Sequence, residues 1–114
     1  MRRFTLIPIA MLALRPELVA AQDWQRLDGA GVTQALTGAK VTYKSGATQD
    51  FRASGRTMYH AGSDSWGNWR VESDQYCSQW PPSDLWACYD LEVAGDRLQF
   101  IGSTGDITGG VFHQ

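Results

Sequence analysis

The sequence holds little of what catalysis and metal binding draw on: two cysteines and two histidines, His60 and His113, in 114 residues. A structural zinc site takes four ligands, mostly cysteine and histidine, so that chemistry is poorly supplied here. Ten lysines and arginines stand against twelve acidic residues, a formal charge of -2 that argues against nucleic-acid recognition through a basic surface. No apolar run reaches the ~20 residues a membrane-spanning helix requires. The chain also lacks Gly-x-Gly-x-x-Gly, a Gly-Lys-Ser/Thr phosphate loop and a Gly-x-Ser-x-Gly nucleophile elbow. No cofactor is therefore expected.

The one sizeable apolar run, Phe4 to Leu14, follows Arg2 and Arg3 and precedes the small residues of Val19-Ala20-Ala21. Charge, apolar stretch and small residues in that order describe a secretory signal over residues 1–21. The working chain is then a single β domain over residues 22–114, periplasmic or secreted, with no stable membrane insertion after cleavage. The leader carries three of the ten cations and one of the twelve acids, which leaves a net charge of -4.

What the sequence has in quantity is glycine, at twelve residues, and tryptophan, at five. Asp28 to Gly38 suits a short helix: Asp28 can accept from free N–H groups of the first turn, and Gly38 fits the left-handed position after the last. Beyond Gly38 the period becomes two. Strands are expected at Lys40 to Tyr43, Thr48 to Phe51, Thr57 to Ala61, Trp66 to Glu72, Gln75 to Trp80, Trp86 to Val93, Arg97 to Ile101 and Val111 to His113. Polar turns separate them, which predicts a mainly β antiparallel meander curled into a barrel or sandwich. Ser-Asp recurs at 63–64, 73–74 and 83–84, each time followed by one residue and then an aromatic, as turn punctuation.

Cys77 and Cys88 flank a Trp80-Pro81-Pro82-Ser83-Asp84 loop and are expected to form a disulfide between paired strands. Setting Cys77 opposite Cys88 places Tyr76 opposite Tyr89 and Gln79 opposite Trp86. Tyr76, Trp80, Ala87, Tyr89, Leu91 and Val93 then share the core face, joined by Trp69, Val71, Leu98 and Phe100. Such a cross-link contributes about 3 kcal/mol in the chain-entropy account.

Trp66 and Trp86 point away from that core and, with Arg70, Gln79 and Asp90, make a possible binding surface. Asp64, Asp84 and Asp106 are weak candidates for a calcium site, turn-making being the simpler role. His60 beside an acid would be the start of a hydrolase, although no nucleophile motif accompanies it.

The stretch from Trp66 through Cys77, with Cys88-Tyr89 and Gly95-Asp96, resembles small bacterial envelope proteins of unknown function. The resemblance implies export and a β fold, and carries no catalytic residue. The leading expectation is a non-enzymatic β module that binds a small ligand, a glycan or a protein partner in the envelope. An inhibitor or accessory subunit of an envelope enzyme is the second, and a small hydrolase the third.

Overall fold

The structure, a computed structural model, describes residues 23–113. The leader expected at residues 1–21 lies outside them. The chain forms β1 (Gln25–Arg26), α1 (Gly29–Leu36), β2 (Lys40–Tyr43), β3 (Thr48–Phe51), β4 (Arg56–His60), β5 (Asp64–Glu72), β6 (Gln75–Gln79), β7 (Trp86–Ala94), β8 (Arg97–Ile101) and β9 (Ile107–Phe112). Each of β2 to β9 pairs antiparallel with its sequence neighbour. A β2–β9 ladder closes the eight strands into a barrel, while β1 adds to the edge of β7. Of the two expected forms, the sheet takes the barrel.

An up-and-down barrel sends alternate connections to opposite ends. The turns after β2, β4, β6 and β8 gather at one end, and those after β3, β5 and β7 at the other. Helix α1 covers the second end. Asp28 caps it by accepting from the Gly31 N–H at 2.8 Å, and Gly38 follows it at φ +80°. Its buried face is Val32 and Leu36, one turn apart, while Ala30, expected on that face but two residues from Val32, falls on the other side and is exposed. The β5–β6 hairpin turns on Ser73 and Asp74, both at positive φ as a two-residue primed turn requires. Asp74 also accepts from the Gly29 N–H at 2.7 Å, fastening the helix start to the barrel wall.

The core occupies the helix-covered half. Phe51 is fully buried and meets Trp69 and Tyr76 edge-on, with Leu36, Val41, Leu91 and Leu98 around it. The Cys77–Cys88 disulfide forms on the outer side of the wall. The ladder there pairs Tyr76 with Tyr89, Cys77 with Cys88 and Gln79 with Trp86, as the cysteine register implies.

Two expectations are corrected. The last strand begins at Ile107 rather than Val111, because Gly109 and Gly110 lie inside it. A Cβ on Gly110 would come within 2.8 Å of Val41 and 2.9 Å of the Thr42 carbonyl, so the close passage of β9 over β2 needs a glycine. Ala87, expected in the core, is exposed. Strand β8 ends at Ile101 opposite Asp90, so residues 86–89 of β7 have β6 on one side and no strand on the other.

Candidate functional site

The five residues of the expected outer platform do face outward, on β5, β6 and β7, but each is already engaged. Trp66, 40% exposed, carries the guanidinium groups of Arg52 and Arg56 at 4.8 and 5.1 Å from its ring centre. Arg70 stacks on Trp86 at 3.9 Å. Gln79 accepts from Asn68 and donates to the Asp84 carbonyl, while Asp90 accepts from Arg26 and Gln75. The arginines cover much of the aromatic surface that a flat platform would offer.

Asp64, Asp84 and Asp106 emerge at the open end, in or beside three of its connections, and do not converge. Among the described residues the one three-membered group of close ligand atoms is Glu72, Cys77 and Cys88. Its two sulfurs are spent on the disulfide. Asp64 instead holds His60, with Nδ1 and Oδ1 2.6 Å apart, and both side chains are about half exposed. The pair lies on the outside of the wall. Ser65, the next residue of the strand, points inward, so its hydroxyl and the histidine are on opposite sides of the sheet.

The open half of the barrel holds a cavity of about 630 Å³ that reaches the solvent at the end opposite α1. All four tyrosines of the chain line it, Tyr43, Tyr59, Tyr76 and Tyr89, together with Trp80 and Phe100. They follow one another around the wall. Trp80 meets Tyr59 edge-on at 6.2 Å between ring centres, Tyr59 meets Tyr43 at 6.1 Å, and Tyr43 meets Phe100 at 6.3 Å. Phe100 then contacts Tyr76 at 4.9 Å, and Tyr76 contacts Tyr89 at 6.0 Å. Trp80 is held over the rim because Gly67 beneath it has no side chain; a Cβ there would lie 2.6 Å from the indole. Its indole N–H donates to the Ser78 hydroxyl at 3.2 Å.

Buried Gln49 forms the floor and organises the phenols. Its amide N–H groups donate to Thr57 at 2.8 Å and to the Tyr76 hydroxyl at 3.1 Å, and its oxygen accepts from the Tyr43 hydroxyl at 2.6 Å. Such a network inside a barrel is stabilising only if its members are paired, and these are. Burial pushes the Tyr43 phenol far above the ordinary tyrosine value, with the phenols of Tyr76, Tyr59 and Tyr89 adding to the effect. Burial raises Tyr76 as well, against hydrogen bonds to Ser78 and Gln49 that lower it. Both stay neutral near pH 7. Among the described residues lining the cavity, Asp106 is the one acid, and no lysine, arginine or histidine is present.

Sequence reasoning put Tyr76 and Tyr89 on the inner face without seeing the site they join. The available signal was alternation: counted from Val41 and Thr57, the same period turns Tyr43 and Tyr59 inward. The cavity is within the ~300–1,000 Å³ of small-molecule sites and has their composition, apolar walls with a few fixed polar groups. Comparison with protein-family models, curated proteins and solved structures finds no match for this chain.

Proposed function

We propose that the protein is a non-enzymatic carrier or sensor of a small ligand, bound in the open half of the barrel. The observation that carries this reading is the tyrosine-lined cavity itself, with a rigid hydrogen-bonded floor and a solvent-facing mouth. A phenol offers an apolar ring and a polar tip, so a wall of four suits a ligand with a flat or apolar body and a few polar atoms. The His60–Asp64 pair outside the wall gives the hydrolase reading no support. The compartment in this reading is the periplasm or the exterior. The disulfide supports it, since such bonds persist where the surroundings are oxidising, as does the signal-like order of residues 1–21.

Titration with N-phenyl-1-naphthylamine, an uncharged aromatic fluorophore, tests the reading. Saturable one-to-one binding is expected, and Ser65→Trp, which places an indole in the mouth, should abolish it without unfolding the barrel. Absence of saturable binding, or binding untouched by Ser65→Trp, rejects the cavity as the site. The second reading, an inhibitor or accessory subunit, draws on exposed Trp66 and on Leu85, which is 77% exposed in the β6–β7 loop. Periplasmic extract should then yield a stoichiometric partner to the wild type and none to a Trp66→Ala, Leu85→Ser variant.

A further inference from the structure

We propose that the cavity selects an organic cation, a ligand bearing a quaternary or substituted ammonium group; this rests on the small-ligand reading above. Two independent features point to it. The first is the ring arrangement. Tyr43, Tyr59, Trp80, Tyr89 and Phe100 present aromatic rings around one space, and such rings attract a cation placed over their electron-rich faces.

The second is the distribution of charge. Among the described residues the one charged lining residue is acidic Asp106, which also accepts from the Thr104 hydroxyl, and Asp64 and Asp84 stand at two further corners of the same end. Lys44 is the one lysine or arginine in the connections there. The five arginines of the described residues are placed elsewhere: Arg52, Arg56 and Arg70 lie against indoles on the outer wall, Arg26 is paired with Asp90, and Arg97 begins β8 at the helix-covered end. An anionic ligand would enter past carboxylates and find no counter-charge inside. An uncharged one would gain nothing from them. A cation gains from the carboxylates on approach and from the rings on arrival, where a low-dielectric wall strengthens both.

The phenol network fits the same ligand. Because the Tyr43 hydroxyl donates to Gln49, and Gln49 donates in turn to the Tyr76 hydroxyl, the polar tips turn toward each other. Among the described residues no side-chain hydrogen bond engages the Tyr59 or Tyr89 hydroxyl, so those two lining rings are not tied into the network.

Competition against bound N-phenyl-1-naphthylamine provides the test. Choline is compared with 3,3-dimethyl-1-butanol, the same shape with carbon in place of charged nitrogen, and with benzenesulfonate. Choline should displace the fluorophore at a concentration about fivefold or more below that of the alcohol, and benzenesulfonate should displace it least. Tyr59→Leu should erase most of the preference, Tyr59→Phe should keep it, and Asp106→Asn should reduce it severalfold. A ligand held by the phenol hydroxyl would lose the preference in Tyr59→Phe as fully as in Tyr59→Leu. Equal displacement by choline and the alcohol, or none by either while the fluorophore still binds, overturns the cation and leaves the carrier. Failure of the fluorophore to bind overturns both.

Discussion

The two ends of the barrel share a wall but not a composition. Five of the strands that span it change character from the helix-covered end to the open one. On the inner face Val41 gives way to Tyr43 along β2, Phe51 to Gln49 along β3, Thr57 to Tyr59 along β4, and Leu91 to Tyr89 along β7. On β5 the sequence runs from Trp69 through Gly67 to Ser65, large to small. The closed end is filled mainly by aliphatic and aromatic side chains, and its few polar groups, the Thr57 hydroxyl and the Trp69 indole N–H, are paired with backbone carbonyls. The open end has side chains too amphipathic to collapse on one another, which is why a cavity persists there. The lesson is that one continuous ladder lets stability and binding be assigned to separate halves.

The largest effect should come from the filled half. Phe51→Ala removes a fully buried ring between Trp69, Tyr76 and Phe100 and should cost about 3–5 kcal/mol in urea unfolding. Tyr59→Leu, at the half-buried open end, should cost at least about 2 kcal/mol less. Equal losses would break the division between the halves.

Next comes the disulfide, which serves the open half although it lies outside it. Above Asp90, strand β7 has lost β8, so β6 and the Cys77–Cys88 bridge are what hold residues 86–89 in place. Replacing both cysteines by serine should lower stability by about 3 kcal/mol. Fluorophore binding should weaken at denaturant concentrations where far-ultraviolet circular dichroism is still native. Loss of both signals together would mean that the bridge supports the whole barrel evenly.

Much of this was legible in the chain and some was not, for physical reasons. The cysteines carried the register of β6 and β7 because a cross-strand disulfide aligns its two residues, and alternation then sorts every neighbour. The helix was legible from Asp28 and Gly38, whose roles are local. Strand β9 was misread at its start, since Gly109 and Gly110 look like a turn when their need for close passage against β2 depends on another strand. The bare upper edge of β7 was invisible for a like reason: it follows from where β8 stops. The tyrosine belt is spread over β2, β4, β6 and β7, and nothing local announces that four positions will meet. Outward-facing Trp66 and Trp86 directed the reading to the outer side of the wall, while the tyrosines gather on the inner side.

Alkali should act through the buried phenols at the boundary between the halves. Free tyrosine ionises near pH 10.0, while Tyr43 in the fold is held protonated well above that. A raised folded value means no contribution to pH dependence below pH 10.0 and a loss above it, as the unfolded chain releases a proton that the fold retains. Stability should therefore fall by up to about 1.4 kcal/mol per pH unit for each such tyrosine. Urea midpoints at pH 9 and 11 should show the fall, and Tyr43→Phe should remove its share. An unchanged slope in that variant would mean that the Tyr43 phenol is reached by water.

The smallest effects separate two aspartates, one serving each end. Asp28 caps α1, and its loss leaves a Gly31 N–H without its acceptor. Asp28→Ala should cost about 1 kcal/mol. Asp64 makes an equally short contact, to His60, but with both side chains half in water the pair competes with solvation and gains little. Asp64→Ala should therefore stay within about 0.5 kcal/mol of wild type. The comparison is informative because the hydrogen-bond lengths are similar, so a difference must come from what each bond holds. Asp28 stabilises the helix that seals the filled half, whereas Asp64 stands on a rim that has nothing to seal. If Asp64→Ala proved the costlier change, the open end would be part of the fold's structural support and not a mouth left free for a ligand.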